Sequence, residues 1–182
     1  MAVTIKITIS GALLSGQAPA IVQKNLDQAI TEATLLLYAG VTKHTPQGVY
    51  GAQGGLLGSI QHEVTGKGSP LIKGTVMSAH KYAEVIEKGR RPGQKMPPSA
   101  IQASSLNTRK LMAQGGLVQW IMKKFGVDIK RAIQLEYVVR RSIGRKGFAG
   151  AHMFDKAVSE NWPTIKSIFD RHGLSIAREL SE

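Results

Sequence analysis

Residues 19–46 read PAIVQKNLDQAITEATLLLYAGVTKHTP, and this stretch decides the fold. Val22, Leu26, Ile30, Ala33, Leu37 and Val41 recur every three or four residues, the period of one helix face, while Lys24, Gln28, Thr31 and Glu32 turn away from it. Pro19 suits a first helical turn because its ring fixes φ near the helical value. Pro46 has no N–H to donate and clashes with the turn before it, so the helix must stop short of it. The spacing predicts a long amphipathic helix with one face committed to a core.

On the N-terminal side, Val3, Ile5, Ile7 and Ile9 alternate with Thr4, Lys6, Thr8 and Ser10, the pattern of a half-buried strand, and residues 11–17 read as a loop. On the C-terminal side, residues 47–58 are rich in glycine, which neither a helix nor a central strand favours. Ile60, His62 and Val64 then alternate with Gln61, Glu63 and Thr65. Gly66-Lys67-Gly68 turns the chain, and Leu71 to Ser78 returns it as a hairpin. A short helix is expected through Tyr82 to Glu87, a second from Leu117 to Phe125 ending at Gly126, and a third from an Asp128 N-cap to Ile143. Near the end, Ile165, Ile168 and Phe169 are in helical register. Arg171-His172-Gly173 reads as a helix terminus, with Leu174 to Leu180 as a last short segment. The expected fold is α+β: a small, mostly antiparallel sheet packed against one long N-terminal helix, with additional C-terminal helices, in a single domain spanning residues 1–182.

With 182 residues and 42% apolar content, the chain is large enough to bury about 70% of its unfolded surface. It has no cysteine, which removes disulfides, thiolate metal sites and Cys nucleophiles and fits synthesis in a reducing cytosol. Residues 1–6 lack a signal-peptide layout, and the longest apolar run, Leu35 to Val41, is too short to span a bilayer.

Charge is the most uneven property of the chain. Residues 88–147 hold 14 Lys or Arg against two acids, Asp128 and Glu136, a balance of +12 that equals the formal charge of the whole molecule. The other 122 residues sum to zero. A field gathered in one segment draws polyanions. The segment opens with Lys88-Gly89-Arg90-Arg91-Pro92-Gly93-Gln94-Lys95 and closes with Arg140-Arg141-Ser142-Ile143-Gly144-Arg145-Lys146-Gly147. On the third helix Ile129, Ala132, Leu135, Val139 and Ile143 share one face. Lys130, Arg131, Arg141 and Arg145 lie opposite, with Arg140 at the flank. A solvated surface helix is the plain alternative; the adjoining basic loop favours a polyanion-facing surface.

Catalytic constellations are not evident. The five histidines are scattered, and only His152 with Asp155 and His80 with Glu84 have a metal-like helical spacing, which chance supplies among this many His and acids; no metal is expected. His172 reads as a capping or core-edge residue. The glycine run Gly48 to Gly58 is not followed by the Lys-Ser or Lys-Thr of a phosphate-binding loop. Zinc-finger spacing, basic-zipper heptads and a helix-turn-helix are also not apparent, and Trp120 and Phe125 sit where helix packing wants them. What remains is a Lys/Arg surface for phosphates without sequence selection.

Tyr82-Ala83-Glu84-Val85-Ile86-Glu87-Lys88-Gly89 resembles the "Tyr-Ala, three residues, Glu, one residue, Gly" signature of the tailed-bacteriophage neck, head–tail joining and tail-completion proteins, the lambdoid minor tail protein Z-like family. Its Tyr82, Ala83, Glu87 and Gly89 fall on the signature positions. Three further stretches resemble the family in the same order. These are Gly54-Gly55-Leu56-Leu57-Gly58-Ser59-Ile60 after Thr45-Pro46, then Arg90-Arg91-Pro92-Gly93 with Met96-Pro97-Pro98 and Ala100-Ile101, and finally Gly147-Phe148 with Met153-Phe154-Asp155-Lys156-Ala157. Gln53 stands where the family has Thr, and residues 102–116 form a possible inserted loop.

The resemblance implies a structural, non-enzymatic virion protein without cofactor, made in the host cytoplasm. It implies a homo-oligomeric ring between the head-completion or connector protein and the tail terminator or tail tube, close to double-stranded DNA and away from membranes. The DNA-facing residues expected on that reading are Lys88, Arg90, Arg91, Lys95, Arg140, Arg141, Arg145 and Lys146. A monomeric or dimeric sequence-nonspecific nucleic-acid-binding protein is the alternative, with a nuclease third. Tyr82 and Ala83 also read as core residues of a short helix, Gly89 as its terminator, and Glu87 as a holder of the Arg-rich loop.

Overall fold

The computed structural model describes residues 16–48, 55–69, 71–80, 82–94 and 117–181. The strand expected over residues 3–9, Lys95 and the possible insertion at 102–116 lie outside them. The fold is mixed α+β, as expected. Helix α1 (Ala18–His44) is followed by a 3-10 turn (Leu57–Ser59), strands β1 (Ile60–Thr65) and β2 (Lys73–Ser78), helix α2 (Ala83–Lys88) and strand β3 (Gly89–Arg90). Helices α3 (Leu117–Phe125) and α4 (Ile129–Lys146), strand β4 (Phe148–Ala149) and helix α5 (Met153–Ser181) complete it. Strands β1 and β2 pair in one two-stranded sheet, β3 and β4 in another. The chain gathers into two compact units, one of Met1–Lys43, Gln61–Met77 and Asp155–Glu182, the other of His44–Ile60 and Ser78–Phe154.

In the first unit α1 is covered on two sides. The deepest residues of the helix are therefore Asn25, Ala29, Ala33, Thr34, Gly40 and Val41, while Val22, Leu26, Ile30 and Leu37 of the expected apolar row are half-buried. Against the hairpin, Gly74 lies so close that a Cβ there would overlap Thr34 Oγ1, and the Tyr38 and His62 rings stand 4.6 Å apart. The turn glycines Gly66 and Gly68 both have positive φ, and the Gly68 amide donates to Asp27 Oδ2 at 3.1 Å. Against α5 the partners run antiparallel. Asn25 Nδ2 donates to Glu179 Oε1 at 3.1 Å, Arg171 pairs with Glu32, and Lys43 Nζ reaches Glu160 Oε2 at 3.1 Å. At Gly40 a Cβ would lie 2.6 Å from Asn161 Nδ2 and 3.1 Å from Ala157 Cβ, so the helices approach where side chains are smallest.

The expected terminus at Arg171-His172-Gly173 is corrected: α5 runs unbroken from Met153 to Ser181 through both Pro163 and Gly173. An interior glycine costs about 1 kcal/mol relative to alanine, an amount tertiary packing readily overrides. Contacts on both sides of Gly173 hold α5 against α1. His172 Nδ1 lies 3.4 Å from Asn25 Oδ1 and its Nε2 3.6 Å from Glu32 Oε2, and Glu179 pairs with Lys24. His172 is thus a core-edge residue, 12% exposed in its side chain. Pro163 leaves the Ser159 carbonyl without its helical donor, and both residues face solvent.

In the second unit α3 and α4 pack as a helical hairpin. Val118, Ile121 and Ala132 form its buried centre, with Leu117, Met122, Val127, Ile129, Ile133, Leu135 and Val139 against them. Gly126, at φ 65, lets the chain leave α3 in the left-handed region. Asp128 caps α4 as expected, its Oδ1 accepting from the Arg131 amide at 2.8 Å. Among the described residues no helix is long and apolar enough to cross a membrane.

Candidate nucleic-acid interface

The two ends of the basic segment are tied together by backbone. α2 terminates at Gly89, where φ is 74 and ψ −166, and α4 terminates at Gly147, where φ is 65 and ψ −163. Both lie in a region that only glycine occupies without strain. Past Gly89 the chain enters β3, which pairs antiparallel with β4: Gly89 is opposite Ala149 and Arg90 opposite Phe148. The ladder continues as Ala151 N–H donates to Ile86 O at 2.8 Å and His152 N–H to Glu87 O at 3.2 Å. Beyond β3, the Gly93 amide donates to the Gly144 carbonyl at 2.9 Å. A Cβ on Gly147 would overlap the Arg90 carbonyl oxygen and lie 3.0 Å from Pro92 N. The Arg-rich loop and the Arg-rich helix end, separated by about fifty residues of chain, therefore form one clip.

Within the clip the cations differ in how their charge is used. Arg91, Arg141, Arg145 and Lys146 are exposed, and none has an ion-pair partner among the described residues. Arg145 and Lys146 also occupy the last turn of α4, where cations favour the negative end of the helix dipole. Lys88 is exposed but engaged: its Nζ donates to Glu84 Oε1 at 2.7 Å. That hydrogen bond and the accompanying charge attraction hold the Glu84 carboxyl below its ordinary pKa and raise Lys88 above its own. Arg90 is half-buried in β3 and donates through Nη2 to Gln94 O at 2.9 Å, closing the loop on itself. Arg140, at the flank of the expected stripe, turns inward. Its Nη1 lies 3.5 Å from Glu136 Oε1, with side chains 20% and 8% exposed. Lys95 is outside the described residues.

The four signature positions serve this clip structurally. Gly89 ends α2 and starts β3. Glu87 accepts from the Met153 amide at 2.7 Å and the Phe154 amide at 3.2 Å, capping the first turn of α5. Ala83 is half-buried at the start of α2. Tyr82 is not a core residue as expected; it is 41% exposed, with its ring 4.2 Å from that of His80, and partial burial raises its hydroxyl pKa. Trp120 and Phe125 meet edge to face at 5.9 Å but stay 37% and 55% exposed, at the rim of the hairpin core.

Within the clip, Glu84 offsets Lys88 and Glu136 offsets Arg140. Of the 12 Asp and Glu residues of the chain, at least eight are engaged by its own groups: Asp27, Glu32, Glu84, Glu87, Asp128, Glu136, Glu160 and Glu179. The clip thus presents guanidinium and ammonium donors to whatever anion approaches, and such groups form their strongest hydrogen bonds with phosphate or carboxylate oxygens.

Sequence reasoning missed two residues on the same helix, Tyr137 and Val138, which are 64% and 60% exposed. The available signal was helical phase, because at about 100° per residue both fall on the cationic side of α4. No family model matches the chain, and no curated protein or solved structure is significantly similar to it.

Proposed function

We propose that the protein is a non-enzymatic structural component of a tailed-phage virion, of the neck or tail-completion type. It forms a homo-oligomeric ring that joins the head-side connector to the tail terminator or tail tube, and its clip faces the DNA path. The observation that carries this reading is the joining of Arg91 to the Arg145-Lys146 helix end through the Gly93–Gly144 hydrogen bond and the β3–β4 pair. Three exposed cations from two distant segments, Arg91, Arg145 and Lys146, are held on one small framework, and none of the three has an ion-pair partner among the described residues. Repetition around a ring multiplies such a surface, and cyclic closure is the usual geometry for identical subunits. Contacts made only to phosphates position a duplex without reading its sequence, which suits DNA that has to move. The resemblance of the Tyr82 to Gly89 stretch and of the three other motifs supports the virion location.

The test pairs mass measurement with particle analysis. A ring in solution, or defined copies in purified virions, together with duplex binding that weakens steeply with salt, is the expected result. A monomer absent from particles that still binds duplex would overturn the virion reading in favour of a free-standing nucleic-acid-binding protein. Metal-dependent nicking of plasmid DNA would overturn the non-enzymatic one.

A further inference from the structure

The solvent side of α4 carries a cationic strip with an aromatic ring along one edge. At about 100° per residue, Lys130, Gln134, Arg141 and Arg145 lie in a narrow row opposite the buried Ala132, with Tyr137 along one edge and Val138 along the other. All six of these side chains are exposed. The one acid of α4, Glu136, is buried beside Arg140, and Lys130, Arg141 and Arg145 have no ion-pair partner among the described residues. Gln134 Oε1 accepts from Arg131 Nη1 at 3.0 Å, so the amide N–H2 remains as its donor. At the rise of an α-helix, Lys130 and Gln134 stand about 6 Å apart along the axis, as do Arg141 and Arg145. Between the two pairs the row runs about 10 Å with neither cation nor amide. Tyr137 borders that gap, three residues beyond Gln134 and four before Arg141. It is 64% exposed, more than any other aromatic residue described, and it packs against no other ring among them.

A duplex keeps its base faces stacked inside and has no use for this ring. A single strand offers phosphates and free base faces together, and a base stacks on an aromatic side chain whatever its identity. The packing that claims Trp120 and Phe125 for each other does not extend to Tyr137. We propose that α4 holds single-stranded nucleic acid, with one base against the Tyr137 ring in the gap and the flanking phosphates on the Lys130–Gln134 and Arg141–Arg145 pairs. Charge complementarity selects this occupant, because three unpaired cations and no carboxylate line the row. Ring faces and phosphates are common to DNA and RNA, so the site does not read the sugar. The proposal rests on the nucleic-acid part of the proposed function and not on its virion part. Arg141 and Arg145 serve either form of DNA, whereas Tyr137 serves only the single strand.

The test uses the full chain and four fluorescent probes of one length. They are a single strand of oligothymidine, one of oligouridine, an abasic strand with the deoxyribose backbone, and a blunt DNA duplex. Both base-bearing strands are expected to bind about tenfold more tightly than the abasic strand, which corresponds to about 1.4 kcal/mol, within the range of one stacked base. Tyr137→Ala is expected to erase that gain while leaving duplex affinity within about twofold, and Tyr137→Phe to keep it, since the ring carries the contact. Tyr137 is exposed, and circular dichroism verifies that both variants fold. Equal binding of abasic and base-bearing strands overturns the proposal, as does a gain that survives in Tyr137→Ala. A duplex that weakens in Tyr137→Ala as much as the single strand does would make the duplex the occupant. Polyglutamate that displaces oligothymidine as well as an unlabelled strand of equal charge would make an acidic protein the occupant instead. A gain confined to one sugar overturns the shared site for DNA and RNA. A chain absent from virions that keeps the base-dependent gain overturns the proposed function alone, and a virion-borne, duplex-binding chain without that gain overturns this proposal alone.

Discussion

The amide of Gly93 donates to the carbonyl of Gly144 at 2.9 Å, so a proline-flanked loop is fastened to the last turn of a helix far along the chain. Gly147 makes that closeness possible: its φ of 65 with ψ −163 suits no other residue, and a Cβ there would meet the Arg90 carbonyl. Gly147→Ala is expected to destabilise the protein by about 1–3 kcal/mol in denaturant titration and to weaken duplex binding although no charge is removed. A variant that folds and binds as the parent does would show that the clip does not set the position of the cations.

Salt dependence distinguishes direct engagement of phosphates from general attraction. Replacing Arg91, Arg145 and Lys146 together by glutamine should reduce the slope of log affinity against log salt by about 0.9 for each phosphate no longer neutralised, nearly three in all for a duplex. Affinity should fall equally for unrelated duplex sequences. An unchanged slope would mean that these side chains do not touch phosphate.

Arg140 behaves differently because it is 20% exposed and lies against the buried Glu136. Arg140→Gln takes an ionic partner away from the buried Glu136 carboxylate, and removing one partner of a buried pair costs up to about 3–5 kcal/mol. The expected outcome is a clear drop in melting temperature with little change in the salt slope of the protein that remains folded. The reverse pattern would move Arg140 to the DNA-contacting set.

Glu84 competes with phosphate for Lys88. Glu84→Gln should release the ammonium group and tighten duplex binding severalfold near neutral pH, measured by anisotropy at low salt. The sign follows from the shifts. Lys88 holds the Glu84 carboxyl below its ordinary pKa, so the pair persists through the normal carboxylate range and is lost only as pH falls through the lowered value. At the alkaline end it is lost as pH rises through the raised value of Lys88. On the acid side, the gap between variant and parent should therefore close only below the usual carboxylate range. A gap of constant size on both sides of the lowered value would disconnect it from Glu84.

What was legible in the sequence follows from how local the responsible physics is. The bounds of α1, the Asp128 cap, the Gly126 stop and the β1–β2 turn rest on residues within a few positions of one another, and each was predictable from those residues alone. Strands β3 and β4 were not, because two-residue strands have no period and their pairing joins Arg90 to Phe148 across most of the second unit. Glu87 and Glu136 show the same limit: one caps a helix through Met153, and the other turns inward, which exposure on a helical wheel does not reveal. At Gly173 the local rule pointed the wrong way, since a glycine after basic residues marks a helix end only where no partner helix holds the chain beyond it.

The most direct measurement is an electron-microscopy map of the assembled particle. The account predicts a ring at the head–tail junction, with Arg91, Arg145 and Lys146 lining the lumen beside duplex density. A particle without copies of this chain, or a ring whose clip points to the outside solvent, would contradict it.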